Sequence, residues 1–349
     1  MKAPILGISR HRILTDGSGI TTLVAFYGCP LDCRYCANPQ CKRTPTSEDY
    51  YTPESLLEAV TADNLYYRAT NGGITFGGGE PALQSRFIAA FKRICPPEWN
   101  ITVETSLNVP REHVERLLPV VDSWIVDVKD WNDAIYTAYT GKSNAQAIGN
   151  LRFLLAGKGA DCITVRVPLI AGYNTEADVA KTVAELRRMG VSPVEKFTYR
   201  TKDLSEPEDE IAAGTIGKRI CERLKAVRIL AARKAGIDYK PQDCSHEVCA
   251  TGSCPACETE TAELSRQLFD HRKAVSIDGI VSRLPLPDNP QERGAETSAP
   301  SVSSADSDIP ASREEYNMIL KRFQMLPGGR LTGVLRPSVQ EDDSENKEI

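Results

Sequence analysis

Seven of the eleven cysteines in this chain fall into two tight clusters, and thiols so gathered are built for metal chemistry rather than for packing. The first cluster is Gly28-Cys29-Pro30-Leu31-Asp32-Cys33-Arg34-Tyr35-Cys36, a C-x3-C-x2-C spacing. Three thiolates on one loop can converge on three irons of a cubane and leave the fourth without a cysteine. A zinc site would want a fourth protein ligand or a histidine set, and neither is near. An uncapped iron can bind a small molecule and pass it one electron. The second cluster is Cys244-x4-Cys249-x4-Cys254-x2-Cys257, with Gly252 and Pro255 to bend the chain. Its four thiols can surround one metal, either as a structural zinc site or as an auxiliary iron–sulfur cluster. His246 reads as a bystander. Cys41, Cys95, Cys162 and Cys221 read as small buried core residues.

Other chemistry-bearing residues recur at the ends of strand-like runs. Gly77-Gly78-Gly79-Glu80-Pro81 combines glycines, which let backbone approach a ligand closely, with a carboxylate that can accept from an ammonium group. By itself such a run can equally be a tight turn. Asp127 and Lys129 are two apart on a predicted strand and so face one pocket, unless they form a rim salt bridge. Glu104 and Thr105, then Arg166, then Arg200 close three further runs.

These residues need a scaffold. Strand-like runs are Thr21–Tyr27, Gly73–Phe76, Asn100–Glu104, Val121–Val128, Cys162–Val167 and Val194–Tyr199, short and rich in β-branched residues. Helical patterns lie between them, one opening at Thr52-Pro53 and others near 84–94, 111–118, 145–156, 176–189 and 209–235. The alternation predicts an α/β fold of parallel βα units, consistent with a partial (β/α)6 TIM-like barrel carrying its functional loops at the carboxyl ends of the strands. Pattern alone does not separate that from a doubly wound sheet. The expected organisation is a core over 1–242, a Cys-rich motif over 243–265, and a mostly disordered tail over 266–349 with one short helix at Ser312–Met325.

A formal charge of −5 gives no footprint for nucleic acid or an anionic membrane. No apolar run approaches the roughly 20 residues needed to span a bilayer. The opening MKAPILGISRHRIL turns polar too soon for a secretory segment, so a cytoplasmic location is expected and disulfides are not.

The C-x3-C-x2-C loop and the string Asp16–Pro39 around it resemble the radical S-adenosylmethionine (SAM) superfamily, in particular the glycyl-radical-enzyme activating enzymes that include pyruvate formate-lyase activase. The resemblance implies a [4Fe–4S] cluster on Cys29, Cys33 and Cys36. It implies that SAM, chelated at the unique iron, is cleaved to methionine and a 5′-deoxyadenosyl radical. Tyr35 would contact the adenine, and Gly78, Gly79 and Glu80 the amino group. Glu104, Thr105 and Asp127 would lie near the SAM carboxylate and a monovalent cation. Lys129 would contact SAM or substrate, and Arg166 a carboxylate or ribose hydroxyl.

Two positions depart from the family pattern: Ala37 replaces a histidine, and Tyr199-Arg200 replaces Tyr-His. Arg200 would then be the donor toward SAM. The stretch from Cys36 to Glu80 is expected to hold one helix and its loops, without room for a ferredoxin-like insertion. Auxiliary clusters accompany many radical SAM cores, which tips the second cysteine cluster toward iron–sulfur. The implied partners are a glycyl radical enzyme, with a flavodoxin- or ferredoxin-type electron donor. A peptide- or protein-modifying radical SAM enzyme is the alternative, and a non-catalytic iron–sulfur or zinc-binding regulatory protein the rival of another class.

Overall fold

A computed structural model of the chain describes residues 1–13, 16–198, 210–242 and 254–270. These fall in two units, divided after Pro207. The first unit is built on an eight-stranded sheet. Its strands are β1 (Ala3–Ile13), β2 (Ile20–Phe26), β3 (Tyr50–Tyr51), β4 (Gly73–Gly78), β5 (Asn100–Thr105), β6 (Ser123–Asp127), β7 (Ile163–Leu169) and β8 (Val194–Thr198). The order across the sheet is β3-β1-β2-β4-β5-β6-β7-β8. From β2 to β8 every neighbouring pair is parallel, while β1 runs antiparallel to both β2 and β3.

Six parallel strands thus follow one another in chain order. A doubly wound sheet reverses its strand order part-way, and these six strands show no such reversal. The crossovers carry α1 (Pro53–Val60), α2 (Asn64–Thr70), α3 (Ser85–Lys92), α4 (Arg111–Leu117), α5 (Asp133–Thr140), α6 (Ala145–Lys158) and α7 (Glu176–Arg188). Thr52 caps α1 through Ser55, with Pro53 in the first turn as the sequence predicts. Thr175 caps α7 in the same way through Asp178.

The alternation along each strand assigns two faces. Val24, Phe26, Ile74, Phe76, Ile101, Val103, Trp124, Val126 and Val165 join the apolar core with Leu56, Phe87, Val114, Leu151, Val179 and Leu186 from the helices. The intervening residues Thr75, Gly77, Thr102, Glu104, Asp127, Thr164 and Arg166 line the opposite, polar face. Register places Asp127, Arg166 and Glu195 side by side across β6, β7 and β8. One face is oil and the other is chemistry.

β1 is absent from the sequence reading because its polar residues hide the alternation and its register shifts twice. Two helices, α1 and α2, fill the stretch expected to hold one. Also unforeseen is α5, a short helix with three aromatic or β-branched residues in its last turn, which weakens its local propensity.

The second unit is described by α8 (Glu210–Lys234) and α9 (Pro255–Asp270). Arg228 is fully buried there and donates to the Tyr239 hydroxyl (2.8 Å) and to Glu260 Oε2 (3.1 Å). Of the expected Cys-rich motif over 243–265, the described part from residue 255 onward is helical and lies within α9. The proposed helix at Ser312–Met325 lies outside the described residues.

Candidate active site

The loop bearing Cys29, Cys33 and Cys36 leaves the carboxyl end of β2 and is clamped on both sides. Gly28 turns the chain at φ +86. Its carbonyl accepts from Glu80 N (2.8 Å), its N–H donates to Cys41 O (2.8 Å), and Gly79 N donates to Phe26 O (3.0 Å). Asn38 adds a bond from its side-chain amide to Gly78 O (3.3 Å). Across the loop, Asp32 N and Arg34 N donate to the carbonyls of Thr140 and Tyr139 at the end of α5. Those two carbonyls would otherwise be orphans of the helix terminus.

The glycines have a structural reason independent of any ligand. A Cβ on Gly79 would sit 2.3 Å from Gly28 O, and one on Gly78 2.6 Å from the Ala25 Cβ. The ends of β2 and β4 approach too closely for any side chain.

All three loop cysteines are half-buried free thiols. Burial pushes the Cys29 thiol up to about 12. Cys33 is raised for the same reason, with the Lys129 ammonium opposing. Cys41, read as core, is buried and stands beside Cys36.

Glu80 is buried and its carboxylate accepts four bonds: from Ala82 N (3.1 Å), Thr105 Oγ1 (2.6 Å), Ser106 N (2.9 Å) and Ser106 Oγ (2.6 Å). The side chain ties the end of β4 to the end of β5. Burial still raises its pKa above the ordinary value, these donors opposing. Ser106 was not anticipated, nor was Asn150 on α6. The Asn150 amide donates to Leu107 O (2.9 Å) and Val109 O (2.7 Å), holding a segment in which Leu107 adopts φ +56.

The polar face continues the site. Glu104 Oε1 accepts from Arg166 Nη1 (3.0 Å), and Arg166 Nε donates to Glu195 Oε2 (3.1 Å). Lys129 Nζ donates to Asp127 Oδ2 (2.6 Å), so the two form a salt bridge with each other, and both side chains are largely buried. The other carboxylate oxygen, Asp127 Oδ1, is buried without a hydrogen-bond partner. Burial drives Glu104 up to about 7, Arg166 opposing and Asp127 and Asp16 adding to the rise. A cavity of about 280 Å³ lies against this face, lined by Ser18, Thr102, Ser123, Thr164, Arg166 and Glu195. The Tyr35 ring lies 5.9 Å from Tyr173 and 6.2 Å from Tyr139 between centroids, an aromatic group the sequence showed only in part.

A cysteine loop and a Gly-Gly-Glu clamp thus meet at the carboxyl ends of β2 and β4, while the charged row Glu104, Asp127, Arg166 and Glu195 crosses the polar face of the neighbouring strands. The sequence profile of the Radical SAM superfamily matches residues 23–197, the span that builds this arrangement. The chain belongs to the radical SAM superfamily. Relatives include the isethionate sulfite-lyase activating enzyme of Nitratidesulfovibrio vulgaris, 27% identical over 61% of this chain and 91% of that protein. The pyruvate formate-lyase 1-activating enzyme of Escherichia coli is 30% identical over 53% of this chain and 76% of its own. Among solved structures, a domain of pyruvate-formate lyase-activating enzyme from Bacteroides vulgatus is 23% identical over 45% of this chain and 94% of that one, with a TM-score of 0.33.

Radical SAM membership implies a [4Fe–4S] cluster and SAM, and the donor set fits the cluster. Three free thiols share one loop. Each thiolate could cap its own iron of a cubane. Ala37 is exposed at the rim of the loop. Arg200, Cys244 and Cys249 lie outside the described residues. Cys254 and Cys257 belong to the second unit, at the start of α9. Among the described residues no helix is long and apolar enough to cross a membrane.

Proposed function

We propose that this radical SAM enzyme is an activating enzyme that removes a hydrogen atom from a backbone glycine of a partner glycyl radical enzyme. The observation that carries the reading is the three-thiol loop locked onto Gly78-Gly79-Glu80, in a chain whose relatives are activases of such enzymes. The sequential parallel strands are read as a partial (β/α)6 barrel with its polar face inward.

Each residue then has a task. Cys29, Cys33 and Cys36 hold the cluster, and the nearby Lys129 ammonium favours the thiolate of Cys33. When bound, the cluster supplies the electron that cleaves SAM to methionine and a 5′-deoxyadenosyl radical. Glu80 fixes the Gly78–Gly79 backbone, which would hold the SAM ammonium. Asp127 Oδ1, buried and without a hydrogen-bond partner, would accept from that ammonium, or would coordinate a monovalent cation together with Glu104 and Thr105. Arg166 offers its fork of donors to the ribose or carboxylate. Tyr35 would contact the adenine, with Tyr139 and Tyr173 packed against its ring and helping to exclude water. A flavodoxin- or ferredoxin-type protein would deliver the electron.

The test is electron paramagnetic resonance on anaerobic mixtures of this protein, reductant, SAM and a co-expressed glycyl radical enzyme. A glycyl doublet on the partner is expected. A chain that cleaves SAM but leaves a modified peptide and no doublet belongs instead with the peptide-modifying enzymes.

A further inference from the structure

Asn108 and Tyr136 meet beside the site, and their hydrogen bonds leave one buried donor over. Asn108 follows the Ser106 that holds Glu80, and its backbone N–H donates to Ser106 Oγ (3.3 Å). Its side-chain amide donates one hydrogen to Ser143 O (2.8 Å) and the other to the Tyr136 hydroxyl (3.1 Å). An amide nitrogen accepts nothing, so the phenol is the acceptor in this bond and its own O–H points elsewhere. Tyr136 is 1% exposed, and among the described residues no acceptor stands within hydrogen-bond reach of that O–H. A buried donor left unfilled is costly, so the position calls for an acceptor that the chain does not supply.

Tyr136, Tyr139 and Thr140 fall on one face of α5. Thr140 O and Tyr139 O accept from Asp32 N (2.7 Å) and Arg34 N (3.2 Å), so this end of α5 packs against the loop that carries Cys33. Through Asn108 and Ser106 the phenol is tied equally to the Glu80 knot. Burial raises its pKa, which keeps the proton in place, and the Lys129 ammonium, Cys33 and Glu80 are near enough to act on it. The hydroxyl thus stands between the cysteine loop and the Gly-Gly-Glu clamp, with a cation nearby. A neutral donor next to an ammonium suits an anion, and the carboxylate is the one anionic group that SAM carries.

We propose that Tyr136 is a SAM-binding residue whose phenol donates to the cofactor carboxylate, a role that rests on Cys29, Cys33 and Cys36 carrying the cluster. Asn108 is then a positioning residue: by occupying a lone pair of the phenol it turns the O–H away from itself. Tyr136→Phe deletes that O–H and keeps the buried ring.

The experiment measures iron content and SAM affinity of the anaerobically reconstituted full chain, wild type beside Tyr136→Phe. Decarboxylated SAM serves as a second ligand, because it keeps the adenine, ribose and sulfonium and lacks only the carboxylate. The variant should hold as much iron as the wild type, bind SAM roughly ten-fold or more weakly, and bind decarboxylated SAM as the wild type does. A ring that merely supported α5 would weaken both ligands alike. The assignment is overturned if Tyr136→Phe binds SAM at the wild-type affinity, or if the two ligands are weakened equally, with or without loss of iron. In either case a wild type that still cleaves SAM leaves the cluster site standing. A wild type that takes up iron and binds no SAM overturns both.

Discussion

At the scale of single residues, the closest approach in the site is between Gly79 and Gly28. A methyl group at position 79 would lie 2.3 Å from a backbone oxygen that has no room to retreat, because that oxygen already accepts from Glu80 N. Gly79→Ala should therefore displace the cysteine loop, at a cost of about 1–3 kcal/mol. Its iron content after anaerobic reconstitution should fall well below that of the wild type, while a full iron complement would show that the loop does not depend on this contact.

Glu104 carries a pH signature. Its ordinary pKa of 4.5 rises to about 7 in the folded chain, so folding takes up a proton between those values. Stability must decline as pH rises through that window, since the folded state binds more protons than the unfolded one. Glu104→Gln removes the uptake. The difference in denaturation midpoint between variant and wild type should shift in favour of the variant as pH rises from 4.5 to about 7, and a difference that stays constant would count against the assignment.

At the scale of elements, β1 is held by a buried ion cluster rather than by pattern. Arg10 donates from Nε (2.9 Å) and Nη2 (2.8 Å) to Asp63 just before α2, and His11 Nε2 lies 2.9 Å from Asp63 Oδ1. His11 sits at φ +57 where the β1–β2 register shifts. The partners hold the buried Asp63 carboxyl at about 2, below its ordinary 3.8. Its contribution to stability is therefore complete above 3.8 and lost as pH falls through about 2. Asp63→Asn should cost about 1–3 kcal/mol by chemical denaturation at neutral pH, because it takes the charge from a buried carboxylate that faces Arg10 and His11. A loss below 1 kcal/mol would mean that the cluster is relaxed.

The same elements show what a sequence can disclose. The six parallel strands were legible because each is a short β-branched run facing helices on one side. β1 was not, since its residues serve an ion cluster that forms only when α2 packs against it. Cys29, Cys33 and Cys36, and the pair Asp127 and Lys129, stand out in the sequence because their spacing is local, whereas Arg166 stands out only through the family resemblance. Ser106, Asn150, Tyr139 and Tyr173 act across elements, and no local signal marks them. Glu80 shows the limit most clearly: a carboxylate that reads as an acceptor for an ammonium group is filled by four protein donors.

At the scale of the whole molecule, one sheet separates two tasks. Its apolar face meets the helices and makes the scaffold rigid, while its polar face and carboxyl ends hold charge that would be costly to bury elsewhere. Everything functional then depends on three thiols that leave one position for a ligand. The most direct test is production of 5′-deoxyadenosine by anaerobically reconstituted protein given dithionite and SAM, set beside Cys33→Ala. The wild type should form 5′-deoxyadenosine and methionine in equal amounts, with none above background in the variant. Equal yields from both, or none from the wild type, would contradict the account.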